Sequence, residues 1–247
     1  MLEPENSAVE LGYASRLDSV CLHLQRHAQR TIISLWTAIG LQLVHGILLV
    51  AAASIRDMPS VDHVEIISFG FFAGAPSLII APCVFISYLV TLVLFCIWIH
   101  DALTAVRLLN RFDMEYSPGW AIAWIFIPIA NLVKPYFIMK ELSQAAGVAS
   151  ATPDRWREFP VPHSVHVWWS CLIVGGIIKR LSSQWPRSGP DGDMFDLQGI
   201  TFLVGVALVA IAGVCCIHIV GVVTYGICRH YIDLPKFTKD KQPQQTE

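Results

Sequence analysis

An all-α integral membrane bundle is the fold the sequence predicts: four transmembrane helices, a short re-entrant or interfacial helical segment and an amphipathic N-terminal helix. Three observations predict it. The 247 residues are 54% hydrophobic and only 15% charged, with mean hydropathy +0.55, whereas soluble domains carry about 25% charged residues. Charge-free runs long enough to cross a bilayer recur along the chain. The Lys and Arg residues fall on alternate sides of those runs in the asymmetric way that sets membrane orientation.

Residues 1–30 open with Glu3, Glu5 and Glu10 before any apolar run, the opposite of a signal peptide, so no cleavage is expected. Leu17, Val20, Cys21 and Leu24 share one helical stripe, with Arg16, His23, Arg26, His27 and Arg30 mostly elsewhere. That pattern predicts a helix on the inner membrane surface or against protein. The membrane domain follows over residues 31–231. Its first span is 31–55, 25 residues free of Asp, Glu, Lys and Arg. Between Glu65 and Asp101 lie 35 more, but Gly70, Gly74, Pro76 and Pro82 interrupt the first half, which places the second span at about 78–100. The third, 164–184, is bracketed by His163 and His166 on one side, with Trp168 and Trp169 at one interface and Trp185 at the other. Lys179 and Arg180 would snorkel from its end. The fourth, about 198–228, carries Thr201, Gly205, Ala212 and Cys216 in a narrow arc, a seam for close helix packing inside the bundle or between two copies. Residues 232–247 form a polar cytoplasmic tail.

The segment at 117–146, SPGWAIAWIFIPIANLVKPYFIMKELSQAA, is apolar but short. Its purest part, residues 120–133, has 14 residues, or roughly 21 Å of helix against a hydrocarbon core of ~30 Å. Ser117 and Pro118 mark a capped helix start. Pro128 breaks the helix, Asn131 is placed to satisfy the bend, and Lys134-Pro135 restarts an amphipathic helix. Ile138, Leu142 and Ala145 lie on one face of that helix, Lys140, Glu141 and Gln144 on another, and Gly147 suits its C-cap. With four spans, 13 of the 17 Lys and Arg share the side of both termini, leaving Arg56, Lys179, Arg180 and Arg187 opposite. A fifth crossing at 120–133 would divide them 8 to 9 and erase the bias. The expected topology therefore has four spans, cytoplasmic termini, and the short segment on the cytoplasmic side.

In this segment the chain resembles the bacterial membrane-protein family catalogued as domain of unknown function 4328. The likeness rests on SPGW at 117–120 (Ser117, Pro118, Gly119, Trp120), IPIANL at 127–132, Lys134-Pro135-Tyr136, and Met139 to Leu142. It extends more loosely over about residues 30–230. The resemblance implies a multi-pass protein of the bacterial inner membrane and brings no activity. The proline-rich connection before the third span and the aspartate-containing outer loop depart from the family pattern.

Intramembrane ionisable groups are the functional suspects. His45 lies deep in the first span, whereas His100, Asp101 and His218 lie near the inner edge. With Asn131 the last three make a candidate polar or ligand site; the competing reading is interfacial histidines and a bend-capping asparagine. His45 and His218 differ in depth, so they cannot share one haem. The seven cysteines contain no CxxC pair and read as small buried hydrophobes. Asp191, Asp193 and Asp196 lack the remaining ligands of a calcium loop and read as a solvated turn. No metal site, cofactor or catalytic residue is assigned. Net charge is -2, and no aromatic-basic groove supports nucleic-acid binding. The leading expectation is a non-enzymatic module that binds membrane lipid or a membrane-protein partner, a second copy among them, through the amphipathic return helix and the basic cytoplasmic loops. A small-solute or ion transporter using the broken segment 117–135 is the alternative, and a haem redox protein near His100 and His218 the third.

Overall fold

The computed structural model describes the backbone of residues 4–56, 63–108, 114–147, 153–182, 184 and 197–240, and side chains over 18–51, 79–108, 114–147, 156–182, 184 and 198–229. Among the described residues every regular element is helical. These are α1 (Pro4–Arg56), α2 (His63–Leu108), α3 (Pro118–Phe126), α4 (Lys134–Gly147), α5 (His163–Ser182) and α6 (Leu197–Asp240), with 3-10 turns at Ala130–Leu132 and Pro153–Glu158. Trp185 and the aspartates of the outer loop lie outside the described residues.

The expected surface helix and first span are one helix, α1. No proline or glycine separates Gly12 from Gly40, and the Thr31 hydroxyl donates to the His27 carbonyl one turn back (2.9 Å) without opening the turn. α2 likewise runs through Pro76 and Pro82. Each proline removes one backbone donor, a loss that a long apolar helix tolerates.

Three helices are long and apolar enough to cross a membrane, over Asp18–Ala51, Ile79–Leu108 and Gln198–Arg229. The sequence predicts four such helices, and the fourth, α5, falls short of that measure. It forms where expected, but only 12 residues separate His166 from Lys179, or roughly 18 Å against ~30 Å of hydrocarbon. The three apolar helices also carry large side chains outward, among them Ile33, Ile47, Ile79 and Phe85. Exposed apolar surface on that scale, beside three helices of spanning length, fits a membrane protein.

The chain divides into two compact units. Unit 1 comprises Met1–Thr31, Leu94–Val165 and His218–Glu247; unit 2 comprises Ile32–Val93 and His166–Ile217. In unit 2, Ile39 meets Gly213 and Gly46 meets Val206, so α1 and α6 are antiparallel. Gly175 approaches Leu208 and Val209 while Lys179 approaches Gly205, so α5 is also antiparallel to α6 and runs in the direction of α1. Gly175 and Gly205 let the two backbones meet: a Cβ on either would lie 3.1 Å from the other's carbonyl oxygen. Ala212 and Cys216 are buried too, which makes the small-residue stripe an internal seam. Thr91 adds a hydroxyl bond to the Ser34 carbonyl (3.2 Å), tying α2 to α1.

Unit 1 has its core among Leu24 of α1, Trp98, Ile99 and Leu103 of α2, Ile138, Met139 and Leu142 of α4, and Ile219 and Ile227 of α6. Trp98 Nε1 donates to Thr224 Oγ1 (3.0 Å), so this bulky indole leaves no polar atom unpaired. Cys21 and Cys228 form a disulfide across 207 residues of sequence, with Cα atoms 5.5 Å apart. This corrects the reading of those two as small buried hydrophobes; Cys83, Cys96, Cys171, Cys215 and Cys216 are free.

Candidate functional site

The polar groups that could do chemistry gather in unit 1, around the last turns of α2 and the α3–α4 hairpin. α3 starts where its sequence dictates. Ser117 is the N-cap, in extended conformation, and its Oγ accepts from the Trp120 N–H (3.4 Å), while Pro118 occupies the first turn without needing a donor. Ser117→Ala is expected to cost about 1 kcal/mol, measurable as a lowered thermal midpoint of the purified protein.

Pro128 ends α3 by constraining its predecessor. Ile127 takes φ -89° and ψ 114°, the extended region forced on a residue before proline. The bend is then closed by backbone bonds, Asn131 N–H to Ile127 C=O (2.7 Å) and Val133 N–H to Ala130 C=O (3.0 Å). Phe126, Ile127, Ile129, Leu132 and Val133 all point outward here, and Ile129 is 84% exposed. Pro128 and Asn131 sit on this exposed tip.

α4 is not the one-sided return helix that its sequence predicts. Glu141, Ser143 and Gln144 are buried along with the apolar face. Gln144 Nε2 donates to the carbonyls of Arg157 (2.9 Å) and Phe159 (2.7 Å). Glu141 Oε1 accepts from the Glu115 N–H (2.7 Å), and Oε2 has no hydrogen-bond partner although the residue is only 8% exposed. Burial therefore pushes the Glu141 carboxyl up from its ordinary value; the nearby Glu115 carboxylate adds to this, while the N–H groups of residues 115 and 116 and the Arg157 guanidinium oppose it.

The short strap at 114–116 is held at more than one point. The Arg107 guanidinium donates to the Tyr116 carbonyl (3.2 Å), a second contact beside that of Glu141 with the Glu115 N–H. Lys134 Nζ donates to Tyr116 Oη (3.3 Å), lies 3.9 Å from the Glu115 carboxylate, and sits over the rings of Tyr116 (5.1 Å) and Trp124 (5.5 Å). Lys134 is thus committed internally rather than free on a basic face. Burial also pushes the Tyr116 phenol up.

The candidate set His100, Asp101, Asn131 and His218 is only partly brought together. His100 Nδ1 lies 3.4 Å from Asp101 Oδ1. His218 and Asn131 are exposed, and no hydrogen bond joins either to the pair. The stronger partner of Asp101 is His27 of α1, whose Nδ1 meets Oδ2. Thr31 reinforces that contact one turn along α1, its hydroxyl lying 3.1 Å from the Leu94 carbonyl. Sequence reasoning placed His27 and Asp101 at the same membrane edge; pairing groups of equal depth would have found them. It missed Arg107 and Glu141, which carry no motif. Among the described residues no trio of His, Cys, Asp or Glu is placed to hold a metal ion.

No curated protein and no solved structure matches the chain. A family model does, over residues 72–224, which takes in most of α2, the whole α3–α4 hairpin, α5 and most of α6. With more than half its length matched, including the strap, the tip and α4, the chain belongs to the family described as Domain of unknown function (DUF4328).

Proposed function

We propose that the protein is a non-enzymatic, multi-pass module of the bacterial inner membrane that holds lipid at the tip of its α3–α4 hairpin. The observation that carries this reading is the tip itself. Five apolar side chains from Phe126 to Val133 face outward, while nine of the 14 residues of α4 that follow are buried. Acyl chains are the solvent that such a surface fits. The same exposure favours lipid contact over transport, because Pro128 and Asn131 ride on the outer surface of the bend instead of between helices.

In this reading α1, α2 and α6 cross autonomously, and α5 crosses as their companion. Its direction beside α6 matches that of α1, which supports a return crossing despite its short apolar middle. Polar ends at His163, His166, Lys179 and Arg180 are accommodated by snorkelling. Four crossings bring both termini to the side carrying 13 of the 17 basic residues, hence the cytoplasm. The tip then enters that leaflet without crossing it.

A depth measurement tests the proposal. With a bimane probe on Ile129→Cys in a background lacking the free thiols, nitroxides on lipid acyl chains are expected to quench the probe and aqueous iodide to spare it. Strong iodide quenching with no acyl-chain quenching would remove the reading. Aspartate at both Ile129 and Leu132 should lower the phospholipid that co-purifies with the protein. Each would cost up to about 2.5–3.5 kcal/mol at the bilayer centre and less near the interface.

A further inference from the structure

We propose that the Cys21–Cys228 disulfide is a thiol-controlled clasp that fastens α1 to α6 within unit 1 and opens by exchange with a dithiol. The inference rests on the cytoplasmic placement of both termini argued above. Persistent disulfides belong to oxidising compartments, whereas cytoplasmic ones form transiently and report redox state. Here the bond joins the early turns of α1 to the late turns of α6, on the side the basic residues assign to the reducing compartment. A disulfide in that position is a regulated link rather than a permanent staple.

The local packing makes the bond attackable from one side. Cys228 is buried and Cys21 is partly exposed. A thiolate of the incoming dithiol reaches Cys21 Sγ, forms a mixed disulfide and expels Cys228 as thiolate. The second thiol of the reagent then releases Cys21. One S–S bond breaks in the protein and one forms in the reductant, with two electrons and two protons passing to Cys21 and Cys228. The released helices are those that cover the unit 1 core: Leu24 follows Cys21 by one turn, and Ile227 precedes Cys228. Gly226, one residue further back, contacts Ala146 of α4. Opening the clasp therefore loosens the seat of α4.

Differential thiol trapping on the full-length protein in acid-quenched cells tests this, alongside a C-terminal topology reporter. In growing cells all seven cysteines should label as thiols. After diamide, two should become protected, leaving the five free ones, and recover on washout. C21S or C228S should abolish the response. A pair that never oxidises under diamide, with the reporter cytoplasmic, overturns the clasp and spares the orientation. A pair oxidised at all times with the reporter cytoplasmic also overturns it, as a permanent staple. The same pair with the reporter on the outer face removes the orientation and the clasp with it. For the purified protein, dithiothreitol should lower the thermal midpoint of wild type and leave the C21S/C228S double variant unmoved; an unmoved wild type would show that the bond fastens nothing.

Discussion

Gly226→Ala is expected to be among the most damaging single substitutions in the chain. A Cβ at this position would lie 2.4 Å from the Ala146 carbonyl oxygen and 3.1 Å from its carbonyl carbon. Both are backbone atoms, so no rotamer change relieves the overlap; α6 and the end of α4 must separate. Overpacking of this kind costs about 1–3 kcal/mol, and the larger value is expected because the end of α4 meets the interior of α6 at a fixed backbone contact. Gly221→Ala in the same helix is the control. Nothing lies within 4 Å of its added Cβ, so the helix-propensity gain of roughly 1 kcal/mol is unopposed there. Chemical denaturation in detergent micelles, followed by circular dichroism, should move the two midpoints in opposite directions. Equal shifts would show that the α4–α6 contact does not limit stability.

The second large effect is expected at Glu141. Its carboxyl is pushed up in the folded state, chiefly by burial. The folded protein therefore binds this proton more tightly than the unfolded chain, and the sign follows. Stability from this group is fully present below the ordinary carboxylate value and declines as pH rises from there to the raised folded value. Wild type should resist denaturant better in mild acid than at neutral pH. Glu141→Gln should flatten that slope, because a neutral amide keeps an oxygen for the Glu115 N–H without burying a charge. Glu141→Ala should leave that donor unpaired, at a cost of about 1–3 kcal/mol. Unfolding midpoints at pH 5 and pH 8 for the three proteins check the ordering; a wild-type slope retained in Glu141→Gln would assign it to another group.

Local chemistry made part of this architecture legible in the residues. Ser117 with Pro118 and the Ile127–Pro128 pair state where α3 begins and ends, because capping and the proline constraint act within one turn. The same reach explains the failures. A helical wheel for residues 134–147 puts Glu141 and Gln144 on the solvent face, since it knows the period and not the partners. Those partners, the Glu115 N–H and the carbonyls of Arg157 and Phe159, arrive from neighbouring segments. His27 and Asp101 are 74 residues apart, and Cys21 and Cys228 are 207; neither pairing leaves a local trace. α5 was recognisable as a helix, and its short apolar middle was visible as well, yet its direction emerges only from contacts with α6.

Gln144 has a further consequence for how the chain is routed. Both its amide hydrogens are spent on the carbonyls of Arg157 and Phe159, so one side chain clamps the Pro153–Glu158 turn to α4 and sets the point from which the backbone departs along Phe159 to Pro162. The first turn of α5 then closes immediately, with Val165 N–H bonded to the Pro162 carbonyl (2.9 Å). A glutamate in place of Gln144 would present oxygens to oxygens and release that anchor. The point at which α5 begins is therefore governed by an amide two elements upstream.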